Sequence, residues 1–147
     1  FQGILALDTS HLTVRNSRIR DNGQHTIDTS VPPLQGSGVQ SRVAQSFGIS
    51  MFGVSHSTVA RNTVIDNGRG GIGIMDNGPF SPGTITQNPS AHLVASVDDT
   101  IVGNTTRANY RGCGIVVATQ NANGHLSRIV IADNTVTGTG RPRGASR

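Results

Sequence analysis

Apolar side chains recur along this chain in pairs at period two, and each pair keeps step with a pair of asparagines. In "TVARNTVIDN", Thr58 to Asn67, Val59 precedes Asn62 by three residues, and Val64 precedes Asn67 by the same interval. "LTVRNSRIRDN" (Leu12 to Asn22), "DTIVGNTTRAN" (Asp99 to Asn109) and "RIVIADNTVTGTG" (from Arg128) repeat the pattern. The first apolar anchor is Val14, Val59, Ile101 and Ile131, and three residues later come Ser17, Asn62, Asn104 and Asn134. The second anchor is Ile19, Val64, Thr106 and Val136, with Asn22, Asn67, Asn109 and Thr139 after it. Alternation of this kind marks short half-buried strands.

A second block attends each motif. "GILAL" (Gly3 to Leu7) and "GISMF" (Gly48 to Phe52) precede one; "GGIGIM" (Gly70 to Met75) and "GCGIVVA" (Gly112 to Ala118) follow one. Successive anchors lie 45, 42 and 30 residues apart. Units of this size that bury a face only against their neighbours form solenoids, and uneven spacing suits a strand coil whose turns accept insertions. The first long gap holds either a loop or a hidden coil whose strand is "GSGVQSRVAQS", Gly36 to Ser46. Stacked in parallel, equivalent residues lie about 4.8 Å apart. Val59 and Val64 then point inward onto Ile101 and Thr106. Asn62, Asn104 and Asn134 form a buried amide ladder at a bend, with Ser17 breaking it. The bend is expected to place these Asn in the left-handed conformation that Asn tolerates.

Composition sharpens this picture. All twelve basic residues are Arg and all eight acidic residues are Asp, so two strong helix formers are missing. Gly accounts for 19 of 147 residues and aromatics for 3%, so the core must be built from small and β-branched side chains. The net charge of +4 comes without a basic run or stacking aromatics, which argues against nucleic acid. No apolar run is long enough to span a membrane. Cys113 is the only cysteine, and by parity with Ile115 and Val117 it is expected to face the core as an inert small hydrophobe. The chain opens at Phe1 without an initiator Met, which suggests a fragment of a longer helix.

With these repeats the chain resembles the right-handed parallel β-helix proteins of the pectate-lyase-like superfamily, over roughly Gly3 to Gly140. The superfamily includes pectin-degrading enzymes, alginate epimerases, phage tailspikes and periplasmic scaffolds. The resemblance implies an all-β solenoid of about four to five coils over residues 1–140, with inserted loops near 28–38 and 76–92 and a flexible basic tail at 141–147. It also implies a secreted, periplasmic or cell-surface protein that acts on or binds polysaccharide, acidic polysaccharide among the candidates. The alternative is a non-enzymatic β-helix scaffold or adhesin.

Hydrolases of this superfamily use Asp residues on neighbouring coils, one to protonate the leaving oxygen and one to activate water. Lyases need a base and a partner that neutralises the uronate, a part calcium can play when Asp residues hold it. The order Asp98-Asp99, His125, Arg128 loosely resembles a polygalacturonase series, although His125 lacks a following Gly and Val130 replaces the Lys. Tyr110 and Arg111 offer a base and an anion partner beside the loop that begins at Asp76 and ends at His92. Candidate catalytic residues are therefore Asp98, Asp99, Tyr110 and Arg111. Candidate substrate-binding residues are Asp76, His92, His125 and Arg128. Asp21, Asp66 and Asp133 recur with the repeat and are expected to form turns. No P-loop, Cys/His metal cluster or Ser-His-Asp signature occurs.

Overall fold

In the computed structural model, residues 3–22, 47–68, 70–78, 92–109 and 113–138 are described. They form four coils of a parallel β-solenoid. Coil 1 carries β1 (Ile4–Leu7), β2 (Thr13–Arg15) and β3 (Arg18–Arg20). Coil 2 carries β4 (Phe47–Phe52), β5 (Thr58–Ala60) and β6 (Thr63–Ile65). Coil 3 carries β7 (Gly70–Met75), β8 (Ser96–Val97), β9 (Thr100–Val102) and β10 (Thr105–Arg107). Coil 4 carries β11 (Ile115–Ala118), β12 (Leu126–Ser127), β13 (Val130–Ala132) and β14 (Thr135–Thr137).

Equivalent strands pair in parallel along the axis, giving the sheets β1-β4-β7-β11, β2-β5-β9-β13 and β3-β6-β10-β14. Because β1, β2 and β3 pair directly with β4, β5 and β6, no extra coil separates the first two. The proposed strand at 36–46, the loop near 28–38, most of the loop at 76–92 and the tail at 141–147 lie outside the described residues.

The anchors stack as their period requires. Val14, Val59, Ile101 and Ile131 share one register row, and Ile19, Val64, Thr106 and Val136 another. Val59, Val64, Ile101 and Thr106 are fully buried, alongside Ile49, Met51, Ile72 and Ile74 of the first sheet. On coil 4 the same rows end in Ile131 and Val136, which are half exposed because no described coil lies above them.

The "Gly-Ile" pairs have a packing cause. A Cβ at Gly48 would stand 2.8 Å from Asn67 Nδ2, and one at Gly71 would stand 3.0 Å from both Asn109 Nδ2 and Thr106 Cβ. The inward Asn and its apolar partner thus occupy the space that a side chain would need. Gly114 holds the same place on coil 4, where a Cβ would meet Thr106 and Val136. This corrects the expectation for Cys113. The chain bends at Gly114, parity with Ile115 is lost there, and Cys113 is exposed.

Each corner is a two-residue device. The first residue holds a left-handed backbone and points out; the second points in and bonds across coils. At the corner between the second and third sheets the left-handed residues are Asn16, Arg61, Gly103 and Asp133, with φ between 53° and 64°. This shifts the expected left-handed position by one residue: the ladder Asn follows the bend. Asp21, Asp66 and Asp133 all have positive φ, in keeping with their turn role.

The ladder itself forms as its spacing required. Asn104 Oδ1 accepts the Asn62 N–H (2.9 Å) and Nδ2 (3.0 Å), and Asn134 Oδ1 does the same for Asn104. The Asn62 Oδ1 accepts the Ser17 N–H, while the Ser17 hydroxyl turns back to Arg15 O. A second ladder joins Asn22, Asn67 and Asn109.

Candidate functional site

The corner before β2, β5, β9 and β13 follows the same two-residue plan, but its outward positions are all ionisable. His11, His56, Asp98 and Arg128 occupy equivalent places on successive coils, with φ of 59°, 53°, 58° and 52°. The backbone fixes their alignment, since the N–H groups of His11, His56 and Asp98 donate to Ser55 O, Val97 O and Ser127 O of the next coil. The coil rise of about 4.8 Å then sets the spacing of the side chains.

Each member of this column meets the next. The rings of His11 and His56 stand 5.2 Å apart and tilted by 58°. His56 Nδ1 lies 3.7 Å from Asp98 Oδ2. Arg128 grips Asp98 with both edges of its fork, Nε to Oδ1 and Nη2 to Oδ2 at 2.7 Å. That hydrogen bonding, helped by the charges of Arg128 and His56, holds the Asp98 carboxyl below the usual carboxylate range, and Asp98 in turn raises Arg128. Asp98 is therefore an ionised acceptor. It can orient His56 and hold its imidazolium, but it is poorly suited to donate a proton near neutral pH.

Asp99 points the other way. Its side chain is inside the coil and fully buried, and its Oδ1 accepts the Ser57 N–H at 2.9 Å. Ser57 Oγ repeats the contact one coil lower by accepting the Leu12 N–H. Burial pushes the Asp99 carboxyl up to about 6, against the Ser57 hydrogen bond and the His56 charge. The adjacent pair Asp98-Asp99 is thus divided between surface and core, and does not present two carboxylates to one ligand.

The other expected site residues are dispersed. Asp76 is buried at the end of β7, where Oδ1 and Oδ2 accept the Gln120 and Asn121 N–H groups of the next coil. It works as a joint between coils 3 and 4. His92 is exposed ahead of β8, and His125 is exposed ahead of β12, with its carbonyl accepting the Ser96 N–H. Tyr110 and Arg111 lie outside the described residues. Among the described residues no group of three or more His, Cys, Asp or Glu is arranged to hold a metal ion. Among the described residues no helix is long and apolar enough to cross a membrane.

The structure therefore unites Asp98 with Arg128 and adds His56 and His11. A signal for the two histidines does exist in the sequence. Stepping one residue back from Leu12, Ser57, Asp99 and Ile129 gives the four column members, but only once the coils are in register.

The family described as "Right handed beta helix region" matches residues 1–145. No curated protein and no solved structure matches the chain.

Proposed function

The chain belongs to the right-handed β-helix family, and from that premise we propose that it is a carbohydrate-active protein that engages polysaccharide along the corner column. The column carries the reading: His11, His56, Asp98 and Arg128 form a continuous row of ionisable side chains parallel to the solenoid axis. A linear sugar chain laid along that axis would meet one such group per coil. Imidazole and guanidinium offer donors to hydroxyl and carboxylate oxygens, and Arg binds carboxylate through two bonds. In an elimination reaction, His56 oriented by Asp98 would be the base and Arg128 the partner of the uronate. Such substrates place the protein at the cell surface, in the periplasm or outside the cell.

One observation favours the non-enzymatic reading. The column stands on an outer corner, with the His56 side chain 50% and the Arg128 side chain 67% exposed, so water has free access to it. Catalytic carboxylates and bases gain most from a dry, shaped site. A scaffold that binds glycans without cutting them fits that exposure.

The experiment is incubation with a panel of acidic and neutral polysaccharides, with and without calcium, followed by reducing-end and unsaturated-uronate absorbance assays and by affinity electrophoresis. Absorbance with new ends supports a lyase, new ends alone a hydrolase, and retardation without products a binding scaffold. His56→Ala or Arg128→Ala should weaken whichever signal is seen. No retardation and no products across the panel would overturn the proposal.

A further inference from the structure

The column corner follows the plan of the two Asn-ladder corners and departs from it at one atom. In the Asn ladders the side-chain oxygen accepts from the coil below and the amide nitrogen donates. Asn104 Nδ2 gives hydrogen bonds to Val59 O (2.9 Å) and Val102 O (3.2 Å). Asn62 and Asn134 do the same toward Val14 O and Ile101 O. Asp99 reproduces the accepting half through Oδ1 and the Ser57 N–H. In the donating half it has an oxygen in place of the amide nitrogen. Asp99 Oδ2 is buried without a hydrogen-bond partner in a residue that is 0% exposed.

An ionised carboxylate brings only lone pairs, whereas a neutral carboxyl brings one O–H donor. We propose that Asp99 is a proton-loaded rung, standing in for asparagine while it is protonated and loosening the corner beneath His56 and Asp98 when it ionises. The coupling is short-range and covalent at both ends. Ser57, whose N–H the rung holds, follows His56, and Asp99 follows Asp98. The bond that joins coil 2 to coil 3 inside the corner thus lies one residue from the 3.7 Å His56–Asp98 contact outside it.

The charged groups around the rung come from three coils: His56 from coil 2, Asp98 from its own coil, and Arg128 from coil 4 through Asp98. Burial raises the Asp99 carboxyl to about 6, His56 opposes that rise and Asp98 adds to it. For a carboxyl raised on folding, the native state binds the proton more tightly than the unfolded chain. Its stabilisation is complete below the ordinary value of 3.8 and is lost as pH climbs through about 6. The device is independent of any glycan.

The test compares wild type with Asp99→Asn by urea unfolding at pH 4 and pH 7.5, and follows the Asp99 carboxyl carbon by NMR. At pH 7.5, Asp99→Asn should lower the unfolding equilibrium constant by on the order of tenfold to a hundredfold, with the two proteins alike at pH 4 within about threefold. The Asp99 carboxyl should titrate above the ordinary carboxylate range. Asp99→Ser, which copies the Ser57 rung, serves as a second variant and should also lose the pH dependence. An Asp99 carboxyl that titrates at its ordinary value, or a pH dependence that survives in both variants, would overturn the proposal.

Discussion

Replacing Asn104 by Ala tests whether the amide ladder holds the coils together. The Asn104 side chain is 1% exposed and serves both neighbouring coils. Its oxygen accepts the Asn62 N–H and Nδ2, and its nitrogen donates to Val59 O, Val102 O and Asn134 Oδ1. Two of these partners keep other bonds: Asn62 Nδ2 retains Val14 O, and Asn134 Oδ1 retains the Asn104 N–H. The Asn62 N–H loses its acceptor inside a dry corner, a penalty of about 1–3 kcal/mol. The loss of the remaining hydrogen bonds adds roughly 1 kcal/mol net for each bond not replaced. The total comes to about 3–4 kcal/mol, a large share of the roughly 5–15 kcal/mol that holds an ordinary domain folded.

Asn134→Ala is the internal control. Asn134 makes a similar set of bonds on the last described coil, but it is only half buried, so water can replace them. Its loss should cost about 1 kcal/mol. The assay is urea unfolding followed by far-ultraviolet circular dichroism, with the midpoint shift read at constant slope. A loss below about 1 kcal/mol for Asn104→Ala, or equal losses at the two positions, would refute the reasoning.

Two further outcomes follow from the same geometry. Gly71→Ala places a methyl group 3.0 Å from Asn109 Nδ2 and against the backbone carbonyl of Gly114, so it should cost about 1–3 kcal/mol and lower the melting temperature; an unchanged midpoint would mean the corner has room to spare. Arg128→Ala removes the main cause of the lowered Asp98 value. The Asp98 carboxyl should then titrate closer to 3.8, and the stabilisation it supplies above that value, lost on acidification through the lowered one, should disappear. A carboxyl-carbon titration that does not move between the two proteins would exclude the ion pair as its cause.

The fold was legible because burial repeats. Val14, Val59 and Ile101 must all be apolar, and Asn62, Asn104 and Asn134 must all supply both an acceptor and a donor, so the same residue types recur in register. The column carries no such constraint. Its backbone role is a left-handed turn facing water, which His11, His56, Asp98 and Arg128 all fill. Identity therefore does not recur, and no motif announces the row. Asp98-Asp99 looked like a pair of acids because sequence shows adjacency and hides direction. At the corner one side chain leaves the coil and the next enters it. Cys113 was misplaced for a related reason, since strand parity does not survive the bend at Gly114.

The uneven spacing of the coils also bears on how such a chain can change over generations. Equivalent ladder residues are separated by 45, 42 or 30 residues, yet each separation advances the stack by one coil. Lengthening a closed loop from 30 to 45 residues costs only about 0.4 kcal/mol in chain entropy. A single residue inserted between Thr58 and Asn67 would instead turn the following side chains over, moving Val64 to water and Asn67 away from Asn109. Length is therefore nearly free between coils and almost forbidden inside the ten-residue motif. New sequence can enter this protein in bulk at the gaps, while the motif admits change by substitution and not by insertion.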